Sequence, residues 1–164
     1  MSLSENEMWS LVIPLILMII AYVYAGIDYK KHKNYNRIFT KSVIPILIIS
    51  WTVWSGLAHI FIGEVVSKSI GWGVNTGFQA EVGMFQLAIS GLSIYYLIKH
   101  NIKALVGITM IWVVFMIQAS LLHLKEIVFD KNYSFNTIRP TVTGTINTVF
   151  ILFIISKVDL EKWE

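Results

Sequence analysis

Five apolar stretches, each close to 20 residues long, limit what this chain can fold into. They run approximately over Met8 to Ile27, Val43 to Ile62, Phe78 to Ile98, Ala104 to Leu124 and Pro140 to Ser156. A helix of about 20 residues crosses a hydrocarbon core of about 30 Å, where lipid offers no partner to open backbone groups. The stretches are too long and too uniformly apolar for barrel strands. We therefore predict an all-α transmembrane bundle of five helices, or four if the last stretch does not cross.

The composition agrees with a membrane protein. Hydrophobic residues make up 55% of the chain and charged residues 14%, far from the mixture of a soluble domain. The 164 residues leave no room for a separate soluble module, so we predict one integral membrane domain over residues 1–164. Cysteine is absent, which excludes disulfides, thiolate metal sites and cysteine nucleophiles. The first stretch follows acidic rather than basic residues, so it reads as a retained helix and not as a signal peptide.

The distribution of Lys and Arg predicts the orientation, because cytoplasmic loops keep the excess of positive charge. Nine of the 13 lie in the first loop, the third loop and the C-terminal tail: Lys30, Lys31, Lys33, Arg37, Lys41, Lys99, Lys103, Lys157 and Lys162. The other four lie on the opposite side: Lys68, Lys125, Lys131 and Arg139. We predict that the N-terminus lies outside and the C-terminus inside. The positive charge is expected to interact with the lipid bilayer and not with nucleic acid.

Polar side chains within and beside the helices cluster on the side predicted to face outward. The candidate residues for a ligand-binding site or buried polar network are His59, Gln79, Glu81, Gln86, His123 and Glu126. Polar and ionisable groups at membrane depth are costly and usually mark a site. The sequence therefore predicts a polar pocket that opens outward.

Helical spacing sorts these residues into faces. Gln79, Gly83, Gln86 and Ser90 share one face of the third helix. Glu81 points roughly the other way, yet its depth matches that of His59, so we expect these two side chains to interact. His123 and Glu126 are three residues apart and project to the same side of the fourth helix, where the carboxylate can orient the imidazole.

Two further patterns concern helix ends and helix packing. Thr76 and Gln79 match a capping box at the start of the third helix. On the second helix, one face carries residues that let membrane helices approach closely: Thr52, Ser55, Gly56, His59 and Gly63.

Three interpretations of the titratable cluster remain open. His59, Glu81, His123 and Glu126 are weak candidates for a zinc, iron or manganese site, with half of a di-metal pattern. His59 and His123 lie at similar depth on different helices and are candidates for axial ligands of a haem. The third interpretation is a hydrogen-bonded network that holds the helix ends together.

Residues 55 to 94, "SGLAHIFIGEVVSKSIGWGVNTGFQAEVGMFQLAISGLSI", resemble the core of a prokaryotic family of small membrane proteins, the domain of unknown function 6790. The shared positions are His59, Ile70, Gly71, Trp72, Phe78, Gln79, Glu81 and Gly83. The stretch is also loosely similar to DoxX-like proteins, some of which associate with quinone-linked sulfur oxidation. The resemblance implies a helical fold in the prokaryotic cytoplasmic membrane, but no activity.

We predict a multi-pass membrane protein that serves as a ligand-binding or accessory subunit, with a membrane protein partner or a second copy of itself. The alternative is a membrane oxidoreductase component that uses a quinone, a haem or a bound metal. The sequence leaves both the cofactor and the activity as an enzyme undetermined.

Overall fold

The computed structural model describes residues 5–163, with the side chains of residues 12–134 and 137–163. Six helices make up this part of the chain: α1 (Glu5–His32), α2 (Tyr35–Phe61), α3 (Gly63–Ser69), α4 (Thr76–Ile98), α5 (Ile102–Val128) and α6 (Phe135–Ile155). The described residues contain no strand. All helices except α3 are long and apolar enough to cross a membrane, so the predicted all-α class and the five spans are confirmed.

Four of the helices begin before the starts predicted from hydropathy, because polar side chains cap them. The caps that accept a hydrogen bond from a backbone N–H are Asn34, Asn75, Asn101 and Ser134, at the starts of α2, α4, α5 and α6. Such a cap satisfies a donor that the first helical turn would otherwise leave bare. The predicted starts at Val43, Phe78, Ala104 and Pro140 are therefore each late by two to eight residues, as the helices begin at Tyr35, Thr76, Ile102 and Phe135.

The capping box predicted at Thr76 is wrong by one position. Asn75 precedes α4, and its Oδ1 accepts the backbone N–H of Phe78 at 3.0 Å. Thr76 is the first helical residue, and the side chain of Gln79 does not reach back to the cap but turns to α2. The carboxamide of Gln79 is thus used between helices.

The first half of α2 forms the centre of the bundle. Over Phe39–Ser50 the helix has π-type hydrogen bonding, a longer run than the single π turns usually seen. Pro45 lies in this run and has no N–H to donate, and the hydroxyl of Ser50 donates to the Pro45 carbonyl at 2.8 Å. The buried apolar side chains of this segment are Phe39, Val43, Ile44, Leu47 and Ile48.

The second half of α2, Trp51–Phe61, packs on α4 through small residues. A Cβ atom added to Gly83 would lie 2.6 Å from the carbonyl oxygen of Gly56, so the two backbones are in direct contact there. The hydroxyls of Thr52 and Ser90 hydrogen bond across the same contact. The small and polar face predicted on α2 is therefore the face that meets α4.

The helices of the bundle finish at two opposite ends. We call the end where α2 finishes and α4 begins the His59 end, and the other the Lys30 end. At the Lys30 end Asp28 pairs with Arg37 at 2.9 Å, and Asn36 holds the C-terminal tail. Its side chain donates to the carbonyls of Asp159 and Lys162, both at 2.6 Å, and accepts from the Asp159 N–H at 2.8 Å.

Candidate functional site: a cavity at the His59 end

A cavity of about 380 Å³ lies between the helices and extends to the His59 end. Its walls come mainly from α2, α4, α5 and α6, with Pro14 of α1 and part of the segment that follows α3. Along α5 it reaches from Trp112 to His123, 11 residues apart or about 16 Å of helix. Four of the six candidate residues line it: His59, Gln79, Gln86 and His123. The structure therefore brings together side chains from three helices at the side the charges predict to be outside.

The cavity exists because the helices separate toward the His59 end. α5 and α6 pack on each other, and they reach α2 through its π-helical half. The second half of α2 packs instead on α4. Two tight helix pairs thus meet near the Lys30 end and diverge, and aromatic side chains line the space between them: Trp51, Trp54, Phe78, Trp112 and Phe115.

His59 and Gln79 form the polar contact between α2 and α4. His59 Nδ1 lies 2.5 Å from Gln79 Oε1, and since a carboxamide oxygen only accepts, Nδ1 is the donor. Gln79 is 1% exposed. It fits against α3 because residue 63 is glycine, where an added Cβ would lie 2.7 Å from the Gln79 Cβ. The imidazole is therefore held at a fixed orientation on the cavity wall.

Glu126 ties α5 to the segment that follows α3. Its Oε1 accepts the indole N–H of Trp72 at 2.6 Å, and its Oε2 lies 3.1 Å from His123 Nδ1. The carboxylate is 9% exposed, and each oxygen has a partner. The predicted interaction between His123 and Glu126 is present. Glu126 does not line the cavity itself but positions His123, which does.

Trp72 covers the cavity at the His59 end. Its ring centroid lies 6.0 Å from that of Phe78 on α4 and 5.8 Å from that of His123 on α5. Gly71 supplies the turn before it, with φ at 79°, a conformation that favours glycine. The Ile70 carbonyl accepts from Asn132 Nδ2 at 3.0 Å, so the segment is anchored to the α5–α6 loop. The sequence does not indicate the contact between Trp72 and Glu126, since the two residues are 54 positions apart.

Glu81 is not part of this arrangement. Its side chain is exposed, and within residues 12–134 and 137–163 it has no hydrogen bond or ion pair. The expected contact between His59 and Glu81 is therefore wrong, and Gln79 takes that place. The reason is rotational: two residues along a helix turn the side chain by about 200°, so Glu81 and Gln79 cannot face the same neighbour.

The described part of the chain contains no cluster of side chains that could bind a metal ion. No three His, Asp or Glu side chains there lie close enough together to hold one ion. The weak metal candidates are divided, with His59 on Gln79, His123 on Glu126, and Glu81 exposed. Glu64 is also exposed, and its hydrogen bond to Lys68 at 2.6 Å holds the pKa of its carboxyl below the usual range. The polar groups of the cavity are instead arranged as hydrogen-bonding partners.

Gln86 differs from the other polar residues because one of its atoms lacks a partner. The residue is 4% exposed and lines the cavity two helical turns after Gln79, on the same face of α4. No hydrogen bond reaches its Oε1 within the described residues. Leaving a buried acceptor unsatisfied costs about 1–3 kcal/mol, so such atoms usually have a function or a missing partner. Gln86 therefore combines a place in the cavity lining with an unsatisfied buried oxygen.

Some cavity residues were missed by sequence reasoning. Arg139 enters the sequence analysis only through its charge, and Trp51, Trp54 and Trp112 are not among the predicted site residues. Gln118 is also absent from the predicted site residues, although it is a polar residue in the middle of α5. The isolated carboxamide within an apolar helix was a usable signal for Gln118. For the tryptophans the sequence holds no signal that separates cavity wall from core.

The fold defines the class of the protein: an all-helical bundle with five helices that have the length and hydropathy of membrane spans. The model of a family of unknown function, DUF6790, matches residues 9–160, and the chain belongs to that family. The match extends the resemblance seen at residues 55–94 to nearly the whole sequence, including α5 and its His123 and Glu126. The loose similarity to DoxX-like proteins is not borne out. No curated protein and no solved structure matches the chain.

Proposed function

We propose that this protein is a ligand-binding or accessory subunit of the prokaryotic cell membrane, and that its cavity holds a small molecule on the outer side. The observation that carries the proposal is the unpaired, buried Oε1 of Gln86, a residue of the cavity lining. A bound molecule that donates a hydrogen bond satisfies this atom, and water alone would have to do so in a largely aromatic space.

The size and lining of the cavity support the same conclusion. Small-molecule sites usually have volumes of about 300–1,000 Å³, with mostly apolar walls and a few placed polar groups. The cavity has about 380 Å³, and its polar groups include His59, Gln86 and His123 among tryptophan and phenylalanine side chains. His59 and His123 are oriented by Gln79 and Glu126, as expected of a site whose binding groups are held in advance.

The charges near the cavity argue against a cationic ligand. Arg139 lines the cavity, whereas the described lining contains no Asp or Glu. The nearest carboxylate, Glu126, already accepts from Trp72 and His123 with its two oxygens. A cation would therefore approach the guanidinium of Arg139 on a wall whose described lining offers no carboxylate ligand, which argues against a cationic ligand.

A cavity-filling variant tests this function. Ala119 lines the cavity, and Ala119→Phe should occupy it, while Ala88→Phe adds the same ring at an exposed position of α4. Each protein is purified from native membranes, extracted with organic solvent and analysed by mass spectrometry. We expect a small molecule near one per chain in the wild type and in Ala88→Phe, and its loss from Ala119→Phe. The same content in all three proteins, or no enriched molecule in the wild type, would refute the proposal.

The second candidate is the membrane oxidoreductase component. It is favoured by one observation, which is that His59 and His123 line the same cavity from different helices. A haem or quinone there would make the purified protein coloured, or its extract redox-active. A visible spectrum with a Soret band that is lost in His59→Ala and in His123→Ala would favour this candidate, and a colourless protein with a redox-inactive ligand would reject it.

A further inference from the structure

Three residues line the cavity and are also exposed at the protein surface. They are Phe78 on α4, with Gln118 and Leu122 on α5. Gln118 and Leu122 are one turn apart and so lie on the same face of α5. A side chain that both lines a cavity and reaches the surface marks an opening. The cavity therefore opens sideways, between α4 and α5.

The edges of this opening, which we call the window, are defined by ring contacts. Nearer the Lys30 end, Phe85 and Phe115 have centroids 5.1 Å apart and close the gap between the two helices. At the His59 end, Trp72 lies between Phe78 and His123 and closes it again. Phe78 forms the α4 side of the window next to Trp72, and Gln118 and Leu122 form its α5 side.

The α5 side of the window lies in the hydrocarbon layer. Gln118 lies ten residues before Val128, the end of α5, which is about 15 Å of helix and half of a hydrocarbon core about 30 Å thick. Gln86 lies ten residues after Thr76, the start of α4, and so at a similar depth. The carboxamide of Gln86 inside the cavity and that of Gln118 at the window thus lie at a similar depth.

We propose that the window is the route by which the cavity takes its ligand from the bilayer, and that the ligand is a lipid-soluble amphiphile with a neutral hydroxyl or amide group. The proposal rests on the function proposed above and names its ligand class. A molecule that crosses the window passes through hydrocarbon, so it carries a long apolar body. Its polar group hydrogen bonds with Gln86, whose Oε1 requires a donor.

The chemistry of the polar group follows from its depth. A charged group near the middle of the bilayer costs several kcal/mol, which disfavours a carboxylate or phosphate head. A ketone or ester offers acceptors only and leaves the Gln86 oxygen unpaired. A hydroxyl or an amide is uncharged and donates as well as accepts, so it matches a carboxamide partner.

Bromine-labelled probes test the ligand class, because bromine quenches tryptophan fluorescence on contact and Trp51, Trp54 and Trp112 line the cavity. The probes are ω-bromoundecanol, ω-bromoundecanoic acid above neutral pH, and a bromoalkane of equal length, each added to vesicles that contain the protein. Ala119→Phe gives the baseline quenching from lipid-facing tryptophans. Above this baseline, we expect the alcohol to quench at a concentration roughly tenfold lower than the acid or the alkane, a difference of about 1.4 kcal/mol. Gln86→Leu should remove that preference.

Blocking the window tests the route. The chain has no cysteine, so Leu122→Cys and Leu121→Cys each introduce a single reactive site. Leu122 lines the cavity and is 42% exposed, whereas Leu121 is 59% exposed and does not line it. After reaction with benzyl methanethiosulfonate, we expect the stopped-flow rate of quenching to fall roughly tenfold for Leu122→Cys only. Reduction of the mixed disulfide should restore the rate.

The outcomes separate this proposal from the one on which it rests. Quenching above the baseline by the alcohol, with a slow rate only for modified Leu122→Cys, supports both. Equal affinity for the alcohol and the acid would overturn the ligand class and leave a binding site. A preference for the alcohol that persists in Gln86→Leu would do the same. An unchanged rate in modified Leu122→Cys would overturn the lateral route. The absence of cavity quenching by every probe, together with no copurified molecule, would refute the proposed function itself.

Discussion

Replacing Gly83 by alanine should separate α2 from α4 at the point that positions the site. A Cβ there would lie 2.6 Å from the carbonyl oxygen of Gly56, closer than real Cβ atoms approach. Ordinary contact begins at 3.4 Å, so the backbones must move apart by about 0.8 Å. His59 and Gln79 lie one turn beyond this contact on their two helices, and their hydrogen bond lengthens with it.

The expected magnitude comes from two opposed effects. Alanine in a helix interior is more favourable than glycine by about 1 kcal/mol, whereas overpacking a tight contact typically costs about 1–3 kcal/mol. Weakening the bond between His59 and Gln79 adds about 0.5–1.5 kcal/mol. We therefore expect Gly83→Ala to lower the free energy of unfolding by about 1–3 kcal/mol.

Gly91 provides the matched control on the same helix. A Cβ added there has nothing within 4 Å, so Gly91→Ala should be neutral or stabilising by up to about 1 kcal/mol. Reversible unfolding of both variants by dodecyl sulfate in mixed micelles, followed by tryptophan fluorescence, measures the difference, which we expect to be about 1–4 kcal/mol. If the two variants are equally stable, the direct backbone contact between α2 and α4 is refuted.

Three further outcomes are expected. In the same unfolding titration, Gln79→Leu should cost about 1–3 kcal/mol by leaving the His59 imidazole unpaired, whereas Glu81→Leu should cost far less; the reverse order would restore Glu81 as the partner. Asn36→Leu removes three hydrogen bonds to the C-terminal tail, so proteolysis should cleave residues 157–163 sooner than in the wild type, and equal rates would contradict that anchor. Single cysteines at positions 35 and 70 should react with a membrane-impermeant maleimide from inside and outside respectively, and labelling of position 35 from outside with position 70 from inside would disprove the N-out orientation.

The number of helices and several of their faces follow from the sequence alone, because length, hydropathy and helical period are local properties. Five stretches near 20 residues predict five spans, and the structure has them. Spacings of three and four residues correctly group Gln79, Gly83 and Gln86 on one buried face of α4. The same rule correctly predicts that His123 and Glu126 interact.

The helix starts show where local reasoning ends. Hydropathy locates the apolar part of a helix, but the hydrogen bonds of the cap decide where the helix begins. Asn34 and Asn101 extend α2 and α5 beyond their apolar segments, into stretches that mix apolar residues with polar or charged ones. Such residues are compatible with a helix or with a loop, so hydropathy does not separate the two.

Only the tertiary structure decided which faces meet. Depth in the membrane placed His59 and Glu81 at the same level, yet the rotation of α4 against α2 selects Gln79, and the contact of Gly56 with Gly83 fixes that rotation. The contact of Trp72 with Glu126 and the divergence of the helices that leaves the cavity likewise involve segments far apart in the chain. A sequence gives each helix its length and its faces, but the relative rotation and tilt of two helices depend on how all their side chains pack together.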